Sequence, residues 1–109
     1  MAGFPVVKYA VLDLAKNGTR AAIAAVPGKG YYILGLFLSG GAAAGSMILL
    51  DGSTALTGTM TFAENGQLNL APLPVDTHVP YFKVSAGNAF NITLSANMDA
   101  DGWVIYREV

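Results

Sequence analysis

Apolar and polar residues alternate one for one along several stretches of the chain. Phe90, Ile92 and Leu94 interleave with Asn91, Thr93 and Ser95. Met60 and Phe62 alternate with Thr59 and Thr61, Leu68 and Leu70 with Gln67 and Asn69, and Phe82 and Val84 with Tyr81 and Lys83. A period of two puts the apolar side chains on one face of a pleated strand, so each stretch predicts a strand with one wet face. Arg20–Val26, Tyr31–Leu38 and Met47–Leu50 are apolar at both parities. That pattern predicts central strands, or strands covered by another subunit. Ala21-Ala22-Ile23-Ala24-Ala25 has helical propensity. The turn-forming Pro27-Gly28 behind it, leading into the Tyr31 strand, favours a strand there too.

Turn signals recur at Asn17-Gly18, Pro27-Gly28, Asp51-Gly52, Asn65-Gly66, Gly87-Asn88 and Asp101-Gly102. Eight or nine short strands punctuated in this way predict an all-β, single-domain antiparallel sandwich, jelly-roll-like, over residues 19–109. No fixed interior period argues for a solenoid. The first 18 residues stand apart. Val6–Leu14 has strand character, with Lys8 and Asp13 on opposite faces, and Asn17-Gly18 separates it from the body. It is expected to be either an N-terminal arm that pairs with a neighbouring sheet edge or the domain's own edge strand.

Gly30–Leu50 has no charge over 21 residues, the length of a membrane-spanning helix, and contains the small-residue spacing Gly41-Ala-Ala-Ala-Gly45. Its apolar part is split by Ser39-Gly40-Gly41-Ala42-Ala43-Ala44-Gly45-Ser46, and turn-formers in the middle favour two buried strands and a connection. No membrane span is expected.

Charge narrows the function classes. Only 12% of the 109 residues are charged, while 53% are hydrophobic, and the net charge is −1. An ordinary domain carries about 25% charged residues. A folded chain of this mass exposes about 5,700 Å², or about 440 Å² per charged side chain. So sparse an ionic surface gives little repulsion between molecules, and permanent contacts with neighbours resolve this, since their cores are poor in charge. The six basic residues are scattered, which predicts no nucleic-acid partner. The start lacks the basic and apolar regions of a signal peptide, and the chain has no cysteine; both fit synthesis in a reducing cytoplasm.

Candidate chemistry is thin. His78 is the single histidine, in the loop-like Asp76-Thr77-His78-Val79-Pro80, with no nucleophile motif around it. The carboxylates lie mostly at turns, and Asp99-Ala-Asp101-Gly102 lacks the later ligands of a calcium loop, so it is expected to be a turn. Gly40-Gly41 and Gly45 lack the Gly-Lys-Ser/Thr ending of a phosphate loop. Neither catalysis nor a cofactor is expected. Trp103, Tyr106, Tyr31, Tyr32 and Tyr81 are candidates for stacking on sugar rings, but their placement in strands favours packing in the core or in subunit contacts.

Ala21–Gly30, then Tyr32-Ile33-Leu34-Gly35-Leu36, Asp51–Gly58, Ser85–Ser95 and the closing Gly102-Trp103-Val104-Ile105-Tyr106 together are similar to small β-sandwich proteins of tailed-phage particles. The likeness spans about four fifths of the chain; Met1–Lys16 lies outside it. Such proteins occur as head decoration (cement) proteins and as parts of fibres or tails. The resemblance implies a virion structural role: a homotrimer on the outer surface of the capsid, bound to the major capsid protein and stiffening the shell against packaged DNA. A tail or fibre module that recognises host-surface glycans is the alternative. The residues expected in the contacts are Phe4, Val6, Val7, Tyr9 and Val11 of the arm, with Tyr31, Tyr32, Trp103 and Tyr106.

Overall fold

A computed structural model describes residues 7–14, 18–41, 43–74, 77–95 and 98–109. The alternating stretches form strands, and no helix occurs among the described residues. In chain order the strands are β1 Val7–Leu14, β2 Gly18–Ile23, β3 Tyr31–Gly40, β4 Gly45–Asp51, β5 Thr54–Ala55, β6 Met60–Phe62, β7 Gln67–Leu70, β8 Phe82–Val84, β9 Phe90–Leu94 and β10 Ala100–Glu108. They build two antiparallel sheets. The first runs β1-β10-β3-β7, with β8 also on β3, and the second runs β2-β9-β4-β5, with β6 also on β4. With β5/β6 and β7/β8 each counted as one broken strand, the described residues supply eight strands in two four-stranded sheets of jelly-roll order.

Both breaks keep the neighbouring backbone bonded. Between β5 and β6, the Leu56 N–H donates to the Leu49 carbonyl at 2.8 Å, and the Thr57 hydroxyl accepts from the Leu49 N–H at 3.2 Å. Between β7 and β8 the chain leaves the sheet through a proline-rich loop, and proline brings no donor to a ladder. The Leu73 and Tyr81 N–H groups still donate to the Leu34 and Ile33 carbonyls at 2.8 and 3.0 Å. The register of β3 against β10 slips at this level, where Gly35 pairs with Ile105 and Ile33 with Tyr106, so Leu34 bulges.

The inner faces meet in one core that includes Leu12, Ile33, Leu36, Leu49, Ile92 and Val104. Each such side chain removed from water contributes about 1.5–3 kcal/mol. Gly30–Leu50, the stretch of span-like length, supplies β3 and β4; no helix of the described residues is long and apolar enough to cross a membrane.

Two expectations are corrected. Arg20–Val26 is not a central strand: β2 ends at Ile23, lies at the edge of its sheet, and leaves Arg20 and Ala21 exposed. Exposing alanine wastes little apolar area, so its apolar character does not demand burial. Asp101-Gly102 is not a turn but lies inside β10. A Cβ on Gly102 would run into the Phe37 carbonyl of β3, so this glycine serves close strand approach. The role of Val7–Leu14 follows from its register: all eight residues pair with β10, as an edge strand of the domain's own sheet. Met1–Val6 lie outside the described residues.

Candidate interaction face

Strand parity decides which side chains reach the outer face of the first sheet. On β1, Leu12 and Leu14 are buried, whereas Val7, Tyr9, Val11 and Asp13 are exposed. The register then places partners in rows across the strands. Val11, Trp103, Phe37 and Asn69 form one row, Tyr9, Ile105 and Gly35 the next, and Val7, Arg107, Tyr32 and Lys83 a third. A fourth row, at the opposite end, is Asp13, Asp101, Ser39 and Gln67.

The middle of this face is apolar and open. Val7, Tyr9 and Val11 keep 44%, 66% and 70% of their surface exposed, and they are consecutive outward residues of one strand. Beside them Trp103 and Phe37, both half-buried, stack with ring centroids 6.1 Å apart and planes 26° from parallel. Pro72 lies against Gly35, and the loop that carries it presents Val79 at 78% exposure.

The two ends carry opposite charge. At one end Lys83 Nζ and the Arg107 guanidinium both lie over the Tyr32 ring, 5.4 and 4.8 Å from its centroid, and Arg107 also donates to the Thr77 carbonyl at 3.4 Å. At the other end Asp13 and Asp101 face each other directly across β1 and β10. Desolvation, then a hydrogen bond shared with Asp13 and the charges of Asp13 and Asp99, push the Asp101 carboxyl above the ordinary range. Like charges set opposite each other on adjacent strands repel.

No family model, curated protein or solved structure matches this chain. Among the described residues no group of three or more histidine or acidic side chains is placed to hold a metal ion. His78 is exposed in the loop after β7.

The outer face of the second sheet is different in kind. Its rows set Thr19 beside Thr93, and Ser46 beside Thr61. The hydroxyls bond to one another, Thr19 to Thr93 at 2.7 Å and Ser46 to Ser95 at 2.8 Å. Ile48 and Leu50 of β4, paired with Thr93 and Asn91, share this outward parity but are half-buried, whereas Val7, Tyr9 and Val11 of the first sheet are exposed.

Of the residues expected in contacts, Val7, Tyr9, Val11, Tyr32 and Trp103 come together on the first sheet's outer face, and Phe4 and Val6 fall outside the described residues. Tyr31 and Tyr106 do not join them. Tyr31 is 1% exposed and donates from its hydroxyl to the Ala24 carbonyl at 2.6 Å, and Tyr106 packs on it edge-to-face at 5.4 Å. Adjacent residues of one strand point to opposite faces, so only one of Tyr31 and Tyr32 faces outward. Phe37 and Ile105 are members that the sequence reading missed, hidden in runs apolar at both parities.

Proposed function

We propose that this chain is a structural protein of a tailed-phage particle: a decoration (cement) protein on the outer surface of the capsid, held by copies of itself and by the major capsid protein. The observation that carries this reading is the open apolar strip of Val7, Tyr9 and Val11 beside the Phe37–Trp103 stack. A patch of that kind marks a contact with another molecule. The sparse charge of the chain supports it, as does the likeness to small phage β-sandwich proteins, which also implies a homotrimer. The role is passive. Each bound copy adds interface area that resists outward pressure on the shell, and no bond is made or broken.

Purified protein added to undecorated heads is expected to bind stoichiometrically and to raise the temperature at which the heads rupture. Heads that neither bind it nor gain heat resistance overturn the proposal.

The same strip favours a second reading, a tail or fibre module for host-surface glycans, because half-exposed Trp103 lies between Val11 and the Phe37–Asn69 pair. An aromatic platform beside a polar side chain is suited to a sugar ring. A glycan-array signal abolished by Trp103→Ala supports that reading over the first.

A further inference from the structure

Each sheet has two edges, and three of the four are blunted. β7/β8 is broken by a loop that carries Pro72, Pro74 and Pro80, β5/β6 is broken into pieces of two and three residues, and β2 slips register between Ala21 and Ile23. Breaks, bulges and prolines keep an edge from templating another strand. β1 has none of these. Its eight residues pair with β10 in one unbroken register without a proline, and its single cation, Lys8, is held by Glu108 at 2.6 Å.

The backbone on the open side of β1 follows from its neighbours. The Gly40 N–H donates to the Gly66 carbonyl at 2.7 Å, on the β7 side of β3, so Gly40 turns its groups away from its β10 partner Ala100. Ala100 in turn directs its own groups to Leu14 of β1. Backbone groups alternate sides along a strand, so Leu14, Leu12, Ala10 and Lys8 bond to β10, while Val7, Tyr9, Val11 and Asp13 direct theirs to the open side. Four residues with one N–H and one carbonyl each present eight groups there, from residues spaced about 6.8 Å apart, and among the described residues nothing bonds to them.

We propose that two copies of this chain pair edge to edge, β1 against β1 antiparallel, so that the first sheet runs unbroken through both. The row of open groups fits an extended backbone with the same spacing of donors and acceptors, and among the described residues β1 is the one unblunted edge that a neighbouring copy can offer it. A two-fold axis through Ala10 and normal to the sheet pairs Val7 with Asp13 and Tyr9 with Val11, and all the open groups of both strands then find partners. A slip of two residues leaves Val7 or Asp13 unpaired, and a slip of one sets an outer face against an inner one. Ala10 meets Ala10 at a non-hydrogen-bonded position, where Cα atoms come to about 4.5 Å and a small side chain fits. Tyr9 meets Val11 on the outer face, an aromatic–β-branched pair of the kind that stabilises sheets. The contact is isologous and uses up the edge, so assembly stops at two copies rather than the three that the phage likeness implies. Pairing at the edge leaves the outer face free. It is therefore independent of any contact made by the apolar strip, and the pair carries two such strips side by side.

The test is amide exchange of the purified full chain, resolved by residue at low and high concentration and run beside sedimentation, without phage heads. Sedimentation is expected to show monomer and dimer and nothing larger. As dimer forms, the Tyr9 and Val11 amides are expected to exchange at least tenfold more slowly, while those of Ala10 and Leu12, already bonded to β10, change little. Tyr9→Pro removes an N–H that the monomer's fold does not use, on the side of an edge strand where proline is tolerated. It is expected to keep its β spectrum and to dimerise at least tenfold more weakly. If that variant loses its β spectrum, Tyr9→Lys with Val11→Lys replaces it: both positions are exposed, and like charges then face each other across the paired edges. This variant is expected to be a folded monomer. A wild-type chain that stays monomeric or forms trimers overturns the proposal, as does a dimer whose Tyr9 and Val11 amides exchange as fast as in the monomer, or a folded variant that dimerises like the wild type. A dimer that does not bind heads removes the cement reading and leaves this one standing. Head binding by a chain that never dimerises does the reverse.

Discussion

Gly102 shows how a single residue takes its meaning from a neighbouring strand. The Phe37 carbonyl of β3 occupies the place where any Cβ would stand, so β10 and β3 approach as they do only with glycine there. Gly102→Ala is expected to destabilise the fold by about 1–3 kcal/mol, as overpacking does, read as a lower urea midpoint at unchanged slope. Two aspartates respond to acid in opposite directions. Burial pushes the Asp51 carboxyl up, but donors from the Asn88 side chain at 2.9 Å, the Ser85 hydroxyl at 2.7 Å and the Ser85 N–H at 3.1 Å outweigh it and hold its pKa below the ordinary 3.8. The stability from Asp51 is therefore present above 3.8 and lost as pH falls through the lowered value. Asp51→Ala is expected to cost about 1–3 kcal/mol at neutral pH and progressively less in acid. Asp101, raised, has the reverse sign: its contribution is present below 3.8 and lost as pH rises through the raised value. Asp101→Asn is thus expected to match the wild type in strong acid and exceed it in stability at neutral pH. Parallel urea titrations of both variants across acid pH read out the opposite slopes.

At the scale of elements, the sandwich divides into well-held and lightly held strands. β3 and β10 lie inside the first sheet with neighbours on both sides, and β4 and β9 do the same in the second. β2 is an edge with an exposed face, and β5 is two residues long with both exposed. Amide exchange is expected to be slowest in β3, β10, β4 and β9 and fastest in β2 and β5, because local opening costs least where few contacts and backbone bonds break. Equal protection in β2 and β9 would contradict that ranking. Strand existence was legible where period two was clean, as in Phe90–Leu94. The broken pairs β5/β6 and β7/β8 were legible only in part, because a strand that leaves and rejoins its ladder keeps its apolar alternation while its pairing is decided by β4 and β3. Alanine-rich β2 read as a central or subunit-covered strand, and the central reading failed because hydropathy counts alanine as apolar without regard to how little area it buries.

For the whole molecule, topology sets the folding time. β1 pairs with β10, so Val7 meets Arg107, and the first sheet closes only when the two ends of the chain come together. Loop closure on that scale precedes any reward from the contacts, and refolding from urea is expected to take milliseconds to seconds; complete refolding in microseconds would contradict this order of events. Part of the candidate face was already implicit in the sequence. Val7, Tyr9 and Val11 share one parity, and Trp103 and Tyr106, three apart on one strand, cannot share a face. An all-β sandwich, the positions of most strands and a thinly charged exterior were all readable along the chain, because alternation, turn residues and composition are local properties. Which aromatics point outward, the passage of Asp101-Gly102 through a strand, and the two like-charged pairs at opposite ends of one face emerged with strand pairing. Those depend on register and on a bulge at Leu34, and pairing between residues up to a hundred positions apart leaves no local trace in the chain.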